Sequence, residues 1–126
     1  MEYHQQTMAL DPLFPEEHFE GMIEALYLLK RYDEALDLVR RWSAPPNHTY
    51  AYAAALYALA GDAANARKMA DWFLGKIPPT YSVAAFASAL IRYHKRAEDR
   101  MHWFAGLEAA GLPEMENVRK SGLISA

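Results

Sequence analysis

Apolar residues recur along this chain at one repeated spacing. Phe19, Met22, Ile23, Leu26 and Leu29 fall at i, i+3, i+4, i+7 and i+10, and Tyr32, Ala35, Leu36, Val39 and Trp42 repeat the pattern directly afterwards. That spacing is the buried stripe of an α-helix, with polar residues on the opposite face. Nothing reads as strand, which would alternate at a period of two. Gly61-Asp62 offers a C-cap glycine followed by an N-cap acid, and Pro45-Pro46-Asn47 breaks one apolar run from the next. The pattern predicts six helices, over 17–29, 33–43, 48–60, 63–75, 80–92 and 96–110, and therefore an all-α fold.

A longer period lies over the helical one. ALYLLKRYDEAL at 25–36 is echoed by ALYALAGDAANA at 55–66, and three columns keep a step of 31 residues: Ala35, Ala66 and Ala97; Phe19, Tyr50 and Tyr81; Trp42, Phe73 and Phe104. Each unit is a pair of helices that buries its apolar face only against a neighbour, so repetition is itself a folding requirement. These nine residues are the expected repeat-packing positions, the alanines being small where two helices of a hairpin approach closely. The units run over 17–46, 47–78 and 79–110 of a single domain spanning 1–126.

In these features the chain resembles the tetratricopeptide repeat family. The early aromatics Phe19, Tyr50 and Tyr81, the turns LLKRYDEAL and ALAGDAANA, the alanine column and Pro78 carry the likeness over residues 17–110. It departs from the family in its 31-residue period, against a usual one of about 34, and in Ile23 and Lys30, which replace a small residue and a glycine. The resemblance implies a right-handed superhelical stack of antiparallel helix hairpins, about three repeats long. Residues 1–12, through HQQTMALDP, are expected to be the remnant of a preceding repeat helix, and residues 114–126 a C-terminal tail. AEDRMHWFAGLEAAGLPE is similar to the segment closing the repeat region of bacterial proteins that join such repeats to a class III nucleotide cyclase or a winged-helix regulator. The metal-binding aspartates of a cyclase have no counterpart.

Glu17, Glu20, Glu24 and Tyr27 lie on the side of the first helix away from its buried residues. In tetratricopeptide arrays that side faces a concave groove. The resemblance extends the groove through His48, Ala51, Ala55, Ala58 and Leu59, then Ser82, Phe86, Ala89 and Leu90. Such a groove is acidic at one end and apolar at the other, and suits a partner segment with basic residues at one end. The plainer reading is a solvated acidic helix face. The groove lacks the lysine and asparagine cluster by which some family members hold a C-terminal carboxylate.

Composition narrows the chemistry. The chain has 126 residues, 52% of them hydrophobic and 23% charged, and no cysteine, which removes disulfides, thiolate metal sites and cysteine nucleophiles. A formal charge of -3 argues against nucleic acid as the main partner. Arg92, His94, Lys95, Arg96 and Arg100 form a basic cluster, but Glu98 and Asp99 interrupt it and a solvated loop accounts for it. The longest apolar run, AYAAALYALA, is too short to span a bilayer, and the N-terminus lacks a secretory pattern. No membrane partner is expected, and the cytoplasm is the expected location.

His94, Glu98 and His102 share the i, i+4, i+8 spacing of metal ligands, yet no further ligand is placed to complete a site, so no metal is expected. No glycine-rich phosphate loop, HExxH or GxSxG occurs, and the paired acids Glu16-Glu17 and Asp33-Glu34 sit at helix starts, where they favour the macrodipole. No catalytic residue or cofactor is expected. Trp72 and Trp103 precede the packing column by one place and are expected to be partly exposed contact residues. The resulting expectation is a non-catalytic module that binds a protein or peptide segment in its groove, or pairs with itself as a homodimer. The alternative is a regulatory or sensory repeat domain controlling a nucleotide cyclase or a transcription regulator; it needs a polar-lined concavity, which the alanine-rich groove does not supply.

Overall fold

The computed structural model of the chain describes residues 15–124. The expectation for residues 1–12 lies outside them. All regular structure among the described residues is helical: a 3-10 turn at Glu16–His18, then α1 (Phe19–Leu28), α2 (Tyr32–Arg41), α3 (His48–Leu59), α4 (Ala63–Lys76), α5 (Val83–Tyr93), α6 (Ala97–Ala109) and α7 (Met115–Lys120). The first six follow the six runs of helical spacing. The short α7 lies inside the expected tail.

The helix ends show how local sequence sets the hairpins. At the end of α1, Lys30 takes φ +62° while its N–H donates to Tyr27 O and the Arg31 N–H donates to Leu26 O, both at 2.9 Å. This is a Schellman cap, which turns the chain sharply back on itself. Gly61, 31 positions later at φ +88°, closes α3 in the same way: its N–H donates to Ala58 O and that of Asp62 to Tyr57 O. Asp62 then caps α4 by accepting from Asn65 N at 3.1 Å. The corresponding position of the third unit, Arg92, lies inside α5, and the chain passes from α5 to α6 through His94 and Arg96 with extended backbone.

Packing follows from those turns. The helices pair as α1 with α2, α3 with α4 and α5 with α6, and α2 also meets α3. In addition α6 lies against α3. Helix α3 is thereby surrounded, and six consecutive residues, Ala51 to Leu56, are buried. Alanines make this feasible, because a helix enclosed on several sides needs short side chains where its neighbours approach. One core joins Phe19, Ile23 and Leu26 of α1, Leu56 of α3, Phe73 of α4, and Trp103 and Leu107 of α6.

The packing columns are not uniform. Phe19, Ala35, Ala66, Phe73 and Phe104 are buried, and Tyr50 and Trp42 are half-buried. Tyr81 is exposed at 38%, and Ala97 is exposed as the first residue of α6. Two members of the third unit thus leave the core, because Tyr81 precedes α5 where Phe19 and Tyr50 lie within their helices, and Ala97 is the first residue of α6 where Ala35 and Ala66 are the fourth of theirs; α6 itself packs across α3. Trp103, expected to be partly exposed, is instead fully buried under this crossing, whereas Trp72 remains 49% exposed.

The C-terminal residues are tied to the rest. Glu114 extends its carboxylate to the start of α5, where Oε1 accepts from Val83 N at 2.8 Å and Ala84 N at 3.1 Å. Met115 and Val118, one turn apart, are buried, and α7 packs against α5 and α6.

Candidate functional site

A cavity of about 450 Å³ opens between α1, α3 and α5. Glu20 and Glu24 enter it from α1, His48 and Tyr52 from α3, and Phe86 and Tyr93 from α5, each set at helical spacing that puts its members on one face. Ala89, Leu90 and Tyr81 complete the lining. His48 Nε2 donates to Glu20 Oε1 at 2.6 Å, and the His48 and Tyr52 rings meet edge-on at 5.4 Å. The Tyr52 and Phe86 ring centres lie 6.5 Å apart across the opening. No lysine or arginine lines the cavity.

The electrostatics follow from two acids on a partly apolar wall. Burial pushes the Glu24 carboxyl above its usual range, and the neighbouring Glu20 charge adds to this, while His48 opposes it. Tyr52 is pushed up by burial and by the Glu24 and Glu20 charges, so it stays a neutral phenol. The cavity therefore concentrates negative potential among aromatic faces, an arrangement that attracts a cation.

Behind Glu24 stands His94, the residue that ends α5. It is only 9% exposed, its Nε2 has no hydrogen-bond partner, and that atom lies 3.8 Å from Glu24 Oε1. The His94 ring stacks over Trp103 at 6.1 Å. Burial lowers its pKa, with Asp99 opposing, so the ring is neutral near pH 7.

Further along the same face the surface is closed. Tyr27 stacks flat on Trp103 at 3.7 Å between ring centres and donates to His102 O at 2.9 Å. Ala55 lies beneath Gly106 of α6, where an added Cβ would be 3.0 Å from Ala55 Cβ and would overlap Tyr27 Oη. Tyr27 and Ala55, expected to line an open groove, are both 0% exposed. The physical reason is that α6 occupies the groove: the small residues of α3 let a helix approach, and Gly106 lets it come closer still.

The remaining expected groove residues divide. Glu20, Glu24, His48, Phe86 and Leu90 come together around the cavity, with Ala89. Glu17 is exposed, 3.9 Å from His18 Nε2. Ala51 is buried, and Leu59 is half-buried against the core. Ser82 is the N-cap of α5, its Oγ accepting from Ala85 N at 3.0 Å. Of the other lining residues, Tyr52 and Tyr93 were not expected here and Tyr81 was expected in the packing; His94 stands behind Glu24 and does not line the cavity. A signal existed for two of them, since Tyr52 follows His48 by four and Tyr93 follows Leu90 by three.

The other candidates have different partners. His102 Nε2 lies 2.8 Å from Tyr32 Oη, so it and His94 face different neighbours. Among the described residues no group of three or more acids and histidines converges as metal ligands. Arg100 donates to the carbonyls of His94, Lys95 and Leu123, and Arg96 pairs with Glu98. No described helix is long and apolar enough to cross a membrane. No family model, curated protein or solved structure matches this chain.

Proposed function

We propose that this protein is a non-catalytic interaction module of the tetratricopeptide kind, a right-handed stack of about three helix hairpins that receives a basic segment of a partner protein. The observation that carries the reading is the cavity between α1, α3 and α5, where Glu20 and Glu24 stand among aromatic rings with no lysine or arginine beside them. Its opening faces solvent along α5, where Tyr93 is 76% exposed and offers a rim contact. With the alanine-rich part of the face closed by α6, the segment is held at one anchor instead of along an extended groove.

The polar lining also favours a second reading, a regulatory domain that senses a small ligand and acts on a nucleotide cyclase or a transcription regulator. Glu20, Glu24, His48 and Tyr52 supply the polar anchors that such a role requires.

A displayed library of random heptapeptides tests the first reading. Selection on the protein is expected to enrich segments with a basic residue flanked by apolar ones. The Glu20→Lys, Glu24→Lys double variant, with its helicity unchanged by circular dichroism, is expected to enrich none. Enrichment of acidic segments, or equal enrichment on the double variant, overturns it.

A further inference from the structure

The walls of the cavity differ in chemistry, and basic side chains differ in how well they match them. Glu20 and Glu24 stand one turn apart on α1, at about 5 to 6 Å between Cβ atoms, and both reach the cavity. One oxygen of Glu20 accepts from His48 Nε2 at 2.6 Å, and the side chain is still 40% exposed, which leaves its second oxygen to a ligand. The Glu24 side chain is 20% exposed, and His94 Nε2, at 3.8 Å, is beyond hydrogen-bond reach of its carboxylate. Beside these acids the lining is aromatic: the Phe86 ring centre lies 6.5 Å from those of both Tyr52 and Tyr81, with the planes tilted by 30° and 42°. Resting on the partner-segment reading, we propose that the cavity recognises a guanidinium, the head of an arginine in the bound segment, which lays its face on the aromatic rings and turns its N–H edge to Glu20 and Glu24.

The chemistry selects among cations. A guanidinium carries five donors spread around the edge of a plane, so one group can give hydrogens to two carboxylates a helical turn apart. Its faces are weakly hydrated and stack on aromatic rings, so the apolar share of the lining costs it little water. An ammonium concentrates its three donors at a point and holds its hydration more strongly. Lysine therefore uses the acids and gains less from the rings. A trimethylated ammonium gains from the rings and has no hydrogen to give the acids. Citrulline keeps the plane and most of the donors without the charge, and two carboxylates on a half-buried wall need the charge. Tyr93, 76% exposed at the rim, covers the methylene stem of the arginine.

The test is a nuclear magnetic resonance titration with capped alanine–leucine heptapeptides carrying one central arginine, lysine, trimethyllysine or citrulline, and with ethylguanidine alone. The readouts are the aromatic signals of Tyr52, Phe86 and Tyr93 and, in an isotopically labelled arginine peptide, the Nε–H and Cδ–H signals of the arginine. The arginine peptide is expected to bind at least about tenfold more tightly than the other three. Its Nε–H signal should move downfield as the carboxylates accept, and its Cδ–H signals upfield under the rings. Glu24→Gln, isosteric and checked for helicity, is expected to weaken the arginine peptide about tenfold, and Glu20→Gln by less. Lysine or trimethyllysine bound as tightly as arginine overturns guanidinium recognition and leaves the basic-segment reading standing. Citrulline bound as tightly as arginine overturns both. If ethylguanidine binds as tightly as the arginine peptide and shifts the same aromatic signals, guanidinium recognition stands and the partner-segment source is overturned in favour of a small guanidine. If none of the probes shifts the cavity signals, both are overturned.

Discussion

The second and third helix hairpins start from the same repeat and end in different places. In the second, Gly61 closes α3 in the left-handed conformation, α4 returns along α3, and Ala66 is buried between them. In the third, Arg92 is helical at the position of Gly61, the connection is extended, Ala97 is exposed, and α6 lies against α3. One altered turn redirects a whole helix. The alanine-rich part of the shared face becomes core, and its acidic end, where Glu20 and Glu24 disfavour an apolar cover, remains open as the cavity. The difference teaches that how much of a helical face stays open depends on where the last helix goes as much as on the residues that line it.

The largest expected effect comes from breaking the contact that distinguishes the third hairpin. Gly106→Ala gains up to about 1 kcal/mol of helix propensity, but the added methyl overlaps Tyr27 Oη. Tyr27 cannot swing aside, because it is fully buried, stacked on Trp103 and hydrogen-bonded to His102 O. Overpacking wins, and a net loss of about 1 to 3 kcal/mol is expected in urea unfolding. Gly75→Ala, in α4 with open space at its Cβ, serves as the control that shows propensity alone. Equal stabilisation by both variants would show that α6 does not press on α1.

The next effect sharpens the comparison at the turn itself. Lys30 holds φ +62°, a conformation that costs a side-chain-bearing residue about 1 to 2 kcal/mol, partly offset by glycine's greater freedom in the unfolded chain. Lys30→Gly is therefore expected to raise stability by roughly 0.5 to 1 kcal/mol. Arg92→Gly, at the equivalent position but inside α5, is expected to lower it by up to about 1 kcal/mol. Urea midpoints with an unchanged slope measure both. The same sign at both positions would refute the claim that the two turns differ.

The sequence was informative where structure is local. Six runs of helical spacing matched six helices, and Gly61-Asp62 marked a turn that the chain does make. The crossing of α6 was not legible, because it joins residues 75 positions apart, such as Tyr27 and His102, through contacts that no local period records. Tyr27 and Ala55 followed the pattern of a groove lining, and only the position of α6 shows them to be core. Trp103 was misplaced for the same reason. The short α7 leaves no mark in the sequence because two apolar residues, Met115 and Val118, make too short a run to establish a period. Within the cavity, Glu20, Glu24, His48, Phe86 and Leu90 were recoverable from helix faces, whereas the facing of His94 and Glu24 depends on how α5 ends.

The smallest effect concerns the open end that the third hairpin leaves uncovered. Glu24 has its carboxyl pKa raised above the ordinary 4.5 by burial and by Glu20. Well below 4.5 the group is protonated in the folded and unfolded chains alike. As pH rises, the unfolded chain releases this proton first, so the folded chain holds more protons and stability falls. The fall ends once pH has passed the raised folded value, leaving a constant deficit at neutral pH. Glu24→Gln has no proton to lose and is expected to be the more stable protein at pH 7, by no more than about 0.5 kcal/mol for a partly exposed position. The advantage should vanish on acidification, and thermal unfolding across the acidic range measures it. On the proposed function the two signs oppose each other: the carboxylate whose burial weakens the folded state is one of the two that the proposed basic segment would meet. A Glu24→Gln protein that is less stable at pH 7 would mean that the carboxylate is already satisfied within the chain, and the cavity would then have no unmet charge to offer a partner.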